Sequence, residues 1–178
     1  MKALLIIDML NDFVTGSLKC DRAQGIIPNI RQLIDGFQKQ GLPVIFVNDN
    51  HLETDFEMGR WGAHAIAGTE GAQVIPELTP SEKAIIIDKH VYSGFFETPL
   101  DTILRSHKVD TVILTGLHSH LCVRHTAADA FFRGYKIIIP KDGVDSFTKE
   151  DHESGLAYIK EYYGATVTDT ANVLKDIK

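Results

Sequence analysis

The chain has 178 residues, 44% of them hydrophobic, which suits one packed α/β domain over residues 1–178 and is too little for two comfortable ones. A formal net charge of -6 with scattered basic residues excludes nucleic acid as a partner, because phosphate binding needs clustered Lys and Arg. No apolar run approaches the roughly 18 residues of a membrane span, and two distant cysteines, Cys20 and Cys122, make no disulfide framework, so a reducing, cytoplasmic setting is expected.

In chain order, the opening Ala3-Leu4-Leu5-Ile6-Ile7 is too short for a signal peptide and is interrupted by Asp8, so it reads as a first strand. Ile26, Ile27, Ile30, Leu33, Ile34 and Phe37 recur at helical spacing, and Gly41 is placed to end that helix. A second strand is expected over residues 43–47. Residues 49–80 show no strand pattern and poor helical periodicity, and a long irregular segment in a compact domain is usually functional or mobile. Strands follow at 84–87, 111–114, 137–139 and 165–167. Between them, helices are expected at 98–106, at 119–133 closed by Gly134, and at 149–163 closed by Gly164, with a last helix from Thr170. The strands are rich in Ile and Val without polar alternation, as strands covered on both faces are. The expected fold is an α/β three-layer sandwich: a mainly parallel sheet of about six strands with helices on both faces.

In open parallel sheets, ligands bind beyond the carboxyl ends of the strands. Asp8 follows the first strand, Asp49 and His51 the second, Lys89 the third, and Cys122 comes just after the fourth. Ser119 is an expected N-cap, which sets Cys122 three residues into the helix, where free amides and the helix dipole favour a thiolate and can hold an oxyanion. An isolated cysteine is more often a small buried side chain, and Cys20 is read that way. Asp8 suits proton transfer if a thiol lies within reach, and otherwise a cap or turn. Lys89 suits a partner for that carboxylate, and otherwise an ordinary surface lysine. Asp49 and His51 with His64 form a sparse metal-ligand pattern for zinc, iron or manganese, and Glu57 between them is a further candidate ligand. His118 and His120 flank Ser119 and are placed to line a pocket near the thiol.

These segments resemble the isochorismatase-like cysteine hydrolase family, and within it the nicotinamidases. Asp8-Met9-Leu10-Asn11-Asp12-Phe13 is similar to the opening D-x-x-x-D-F, and Lys89 with Tyr92-Ser93-Gly94-Phe95 to the lysine segment. Gly116 to Val123, then Thr126-Ala127-Ala128-Asp129-Ala130, resembles the nucleophile segment. The resemblance implies Cys122 as nucleophile, Asp8 as general acid/base and Lys89 as the charge that orients them. It implies a cis peptide at Leu117–His118, and an oxyanion hole from the amides of His118 and Cys122. It makes Asp49, His51 and His64 the ligands of a divalent metal ion, and sets Phe13 and Trp61 on either side of a flat aromatic substrate. The implied activity is hydrolysis of a small amide, nicotinamide foremost, by a homo-oligomer. Leu10, Ser119, His118 and His120 depart from the usual pattern and leave the substrate open. Alternatives are another amide or N-carbamoyl substrate, isochorismatase (which does not need Cys122), and a non-catalytic ligand-binding or redox-sensing module.

Overall fold

The computed structural model describes residues 1–177. Its strands are β1 (Lys2–Ile7), β2 (Val44–Asp49), β3 (Ile85–Lys89), β4 (Thr111–Leu117), β5 (Lys136–Pro140), β6 (Val144–Asp145) and β7 (Thr166–Thr168). Its helices are α1 (Asn11–Val14), α2 (Ile27–Lys39), α3 (Met58–Trp61), α4 (Leu100–Ser106), α5 (Cys122–Phe132), α6 (Lys149–Tyr163) and α7 (Thr170–Asp176). The sheet runs β3-β2-β1-β4-β5-β7, with β6 pairing β4. Every pairing is parallel. The six expected strands are present. The seventh, β6, has two residues, too few to show a period.

Alternate residues of the strands feed two cores. Leu4, Ile6 and Phe46 pack with Ile30, Leu33 and Phe37 of α2 and Val173 of α7. Leu5, Ile7, Val47 and Leu114 pack on the other face with Leu104 of α4, Val123 and Ala127 of α5 and Ile159 of α6. Burial on both faces is why β1 has no polar residue between Ala3 and Ile7. Two helices have side-chain caps: the Thr148 hydroxyl accepts from Asp151 N at 3.0 Å, and the Asp169 carboxylate accepts from Asn172 N at 2.9 Å.

The expected helix at 119–133 starts late. The Leu117–His118 peptide is cis, and the chain then turns, with Leu121 N donating to His118 O at 2.9 Å. Leu121 has φ −120° and ψ −102°, so the first helical residue is Cys122 and Ser119 caps nothing. The irregular stretch 49–80 is confirmed in kind: it holds α3, 3₁₀ turns at Glu70–Ala72 and Pro76–Leu78, and isolated bridges from Val74 to Leu10 and from Ile66 to His51.

Two close approaches fix the nucleophile segment. Gly116, at φ +97°, stands so near the Ile7 carbonyl of β1 that any Cβ would overlap it. Gly155 of α6 leaves no room either, since a Cβ there would lie 2.6 Å from the Ser119 carbonyl oxygen and 2.8 Å from His120 N. Gly155→Ala should therefore cost about 1–3 kcal/mol through overpacking, a fall in Tm of roughly 3–10 °C for a domain of this size. Thermal unfolding of the purified variant checks this; an unchanged Tm would mean that α6 does not hold the 118–120 turn.

Candidate active site

The sheet order sets β3, β2, β1 and β4 side by side, so their carboxyl ends gather Lys89, Asp49, Asp8 and Cys122 in one place. Asp49 and Lys89 are register partners across β2 and β3. Asp8 leaves β1 at φ +53°, with its Oδ1 accepting from Asp49 N at 2.7 Å. Lys89 Nζ sits between carboxylates, 2.9 Å from Asp8 Oδ2 and ion-paired to Asp49 Oδ1. The lysine is 0% exposed, so these carboxylates are what keep its charge tolerable. Acceptor atoms of Asp8 and Asp49 and the Cys122 sulfur lie within 4.8 Å of one another.

The electrostatics separate the two carboxyls. Burial, then the charge of Asp49, push the Asp8 carboxyl up to about 6 against the pull of Lys89. Burial acts on Asp49 too, but Lys89 and His51 outweigh it and hold that carboxyl below its ordinary value. Burial alone would depress Lys89; Asp49 and Asp8 reverse this and raise it well above the usual lysine range. Burial also pushes the Cys122 thiol well up, opposed by Lys89 and reinforced by Asp8 and Asp49. This corrects the expectation of a helix terminus that favours a thiolate: desolvation beside two carboxylates wins, and the thiol keeps its proton in the closed site.

Next to Asp49 lies a second cluster. One ligand atom from each of Asp49, His51 and His64 lies within 4.8 Å of the others, and all three residues are buried. Backbone bonds hold the two histidine segments together: His51 N donates to Ala65 O at 2.9 Å, and Ala67 N to His51 O at 2.8 Å. The Asp12 carboxylate, accepting from Ala65 N at 2.8 Å, ties the same segment to α1. His51 Nδ1 is 3.0 Å from Asp55 Oδ2, and His64 Nδ1 is 2.8 Å from Gly62 O. Acceptors at both Nδ1 atoms set the tautomer and leave each Nε2 lone pair free. His51 Nε2 has no hydrogen-bond partner and stands 3.5 Å from Asp49 Oδ2. Two free imidazole lone pairs and a carboxylate, each oriented by an outer partner, fit a divalent ion. Glu57 is buried nearby, its carboxyl pushed up to about 7 by burial and by Asp49, but it stands outside this tight group.

Cys122, Asp49, Glu57, Phe13, Trp61 and His64 line a cavity of about 20 Å³. Phe147, Tyr92 and His118 also face it. Trp61 Nε1 donates to Tyr92 Oη at 2.9 Å, and the Trp61 ring stacks on Phe147 at 6.4 Å. Phe13 meets His64 and His118 edge-on, at 5.6 and 5.9 Å. The flat neighbour of Trp61 is thus Phe147, which no sequence pattern singled out. His118 lines the cavity as expected; His120 instead contacts Ser146 Oγ at 2.5 Å. Other residues missed by the sequence reading are Asp12, which sits inside the opening motif, and Asp55, four positions after His51. A larger hollow, about 650 Å³, lies by Pro43, Val44, Ala84 and Ile85 at the opposite ends of the strands, away from every group named above.

The model of one family, the isochorismatase domain, matches residues 2–172. The chain belongs to the isochorismatase family. Among solved members, an N-carbamoylsarcosine amidase from Thermoplasma acidophilum is 42% identical with a TM-score of 0.90, covering 95% of this chain and 96% of that one. The nicotinamidase PncA from Bacillus subtilis is 35% identical, TM-score 0.88, covering 94% and 99%. A pyrazinamidase of Pyrococcus horikoshii, in complex with zinc, is 31% identical, TM-score 0.89, covering 94% and 98%. The first two of these relatives are, by name, hydrolases of amide C–N bonds. No described helix of this family member is long and apolar enough to cross a membrane.

The metal cluster yields a prediction. After chelation, titration with zinc should show one tight site, and His64→Ala should abolish it. Asp55→Ala, which removes the acceptor shared by His51 Nδ1, His90 Nδ1 and Leu52 N, should weaken binding by about 10- to 100-fold. Calorimetric titration measures both, and unchanged affinity in the Asp55 variant would show that His51 needs no orienting partner.

Proposed function

We propose that the protein is a cysteine-dependent amidohydrolase of a small carboxamide, with nicotinamide as the first substrate to try. The observation that carries this reading is the divergence of the two carboxyls on Lys89. Asp49 is held below its ordinary value while Asp8 is pushed up to about 6, beside a buried thiol. A carboxyl raised toward neutrality is matched to giving and taking a proton near pH 7.

In this scheme Asp8 takes the Cys122 proton as the sulfur attacks the amide carbon. The backbone amides of His118 and Cys122 receive the oxyanion. The hydrogen bonds of the turn run from Ser119 N to Asp145 O, from Leu121 N to His118 O and from Val123 N to His118 O, and so use neither amide. Asp8 then protonates the leaving nitrogen, the C–N bond breaks, ammonia departs and a thioester remains. Asp8 next takes a proton from water as the water oxygen attacks the thioester, and returns it to the sulfur as the acid leaves. Lys89 keeps a positive charge beside both carboxylates throughout, which lets Asp8 cycle without leaving an uncompensated buried charge. Asp49, His51 and His64 would hold a divalent ion (zinc, iron or manganese), which supplies a Lewis-acid anchor for a polar group of the substrate. Trp61 and Phe147 stack on each other at the cavity wall and offer flat apolar surface to the substrate.

A second reading, hydrolysis of an N-carbamoyl compound by the same residues, is favoured by the 42% identity to the N-carbamoylsarcosine amidase. Ammonia release from nicotinamide by metal-supplemented protein tests the first reading. Cys122→Ala should lower kcat by ~10³-fold or more. Full activity in that variant would refute covalent catalysis. No release by the unaltered protein, with turnover of N-carbamoylsarcosine, would select the second reading.

A further inference from the structure

His118 has a second feature that the reaction scheme leaves unused. The scheme needs its backbone amide, not its ring. The ring is 3% exposed and lines the cavity with Cys122 and Trp61. It stacks on Phe147 at 3.9 Å with an interplanar angle of 26°, and Phe13 meets its edge at 5.9 Å. Held in this way, it has little freedom to turn. Yet neither Nδ1 nor Nε2 has a hydrogen-bond partner. Burial, then the charge of His120, push its imidazole down to about 3, so at neutral pH it carries one N–H donor and one lone-pair acceptor.

Buried polar atoms without partners are uncommon, and a phenyl or leucyl side chain would fill the same space without this cost. Trp61 Nε1 is engaged by Tyr92 Oη and His64 Nδ1 by Gly62 O, while Glu57 offers the cavity a carboxyl pushed up to about 7. The fixed imidazole is an uncharged, unspent hydrogen-bonding group of the cavity wall, with both ring nitrogens buried and unpartnered. We propose that His118 is a specificity-determining residue, its ring pairing with a polar group that the substrate carries in addition to the amide under attack. The substrate class is then a small amide with a second hydrogen-bonding function, such as a ring nitrogen or a further carbamoyl N–H, and not a purely hydrocarbon amide. This inference rests on the amidohydrolase reading and narrows it.

The experiment compares the unaltered, metal-loaded protein with His118→Phe and His118→Asn. Substrates are nicotinamide, pyrazinamide and N-carbamoylsarcosine, set against benzamide and propionamide. His118→Phe keeps a ring on Phe147 and removes both nitrogens, so its Tm should be unchanged or higher. Its kcat/KM should fall about tenfold further for whichever polar amide the unaltered protein hydrolyses than for benzamide, chiefly through KM. His118→Asn, which restores a donor and an acceptor, should recover part of the loss. A packing role predicts the reverse: a lower Tm with equal losses on every amide, or no loss at all, and either result overturns the inference. Should His118→Phe fail to fold, His118→Leu takes its place. An unaltered protein that turns over only benzamide or propionamide also overturns the inference while leaving amidohydrolysis standing. One that turns over none of the five amides overturns both.

Discussion

The structure depends on one buried charge, the Lys89 ammonium held between Asp8 and Asp49. A fully buried lysine is tolerated only where opposite charge surrounds it, and removing one partner of such a group costs about 3–5 kcal/mol. That requirement ties together the ends of three adjacent strands: β1 supplies Asp8, β2 Asp49 and β3 the lysine itself. With both carboxyls ionised the group carries one net negative charge. A thiolate at Cys122 would add a second in the same low-dielectric space. Burial and the carboxylates push the thiol up, and in the proposed reaction Asp8, itself raised by burial, is the neighbour that would take its proton.

Asp49 connects this group to the metal cluster. One of its oxygens pairs with Lys89, and the other faces His51 Nε2. A cation bound at Asp49, His51 and His64 would act on Lys89 through the same carboxylate, so the two sites cannot be electrostatically independent. The outer partners reinforce the link. Asp55 holds His51 and also contacts His90 at 2.8 Å, next in sequence to Lys89. Residues 49–80 look irregular as a pattern, but they are pinned to the sheet and to α1 by the His51–Ile66 bridge, the Leu10–Val74 bridge and Asp12.

Much of this was legible in the sequence, for a physical reason. Strands buried on both faces must be continuous apolar runs, so β1, β2 and β4 announce themselves, and a parallel sheet sends reactive groups to the carboxyl ends of its strands. Asp8, Asp49, Lys89 and Cys122 were found on that ground. What stayed hidden was set by tertiary contact. β6 is too short to carry a period, and Phe147, just after it, joins Trp61 on the cavity wall because β6 pairs with β4. Asp12 and Asp55 act by orienting other residues: Asp12 stands in the opening motif without its spacing showing what it holds, and nothing in the spacing of Asp55 distinguishes it from a surface acid. The start of α5 was misplaced because Ser119 is a good capping residue, while the chain at 117–121 follows the turn required by its contact with β6 and α6.

That misplacement changes the source of the nucleophile's reactivity. A cysteine inside the first turn of a helix can be activated by the dipole and by free amides alone. Here Cys122 is the first helical residue, buried, with its thiol pushed upward rather than downward. In the proposed reaction the helix terminus would have the smaller task of offering amides to a forming oxyanion, and ionisation of the sulfur would fall to Asp8. The same desolvation that silences the thiol raises Asp8 into the range where it can serve as a base. Admitting water to this buried group would weaken both effects together, so exclusion of solvent and the raised carboxyl are two consequences of one packing arrangement.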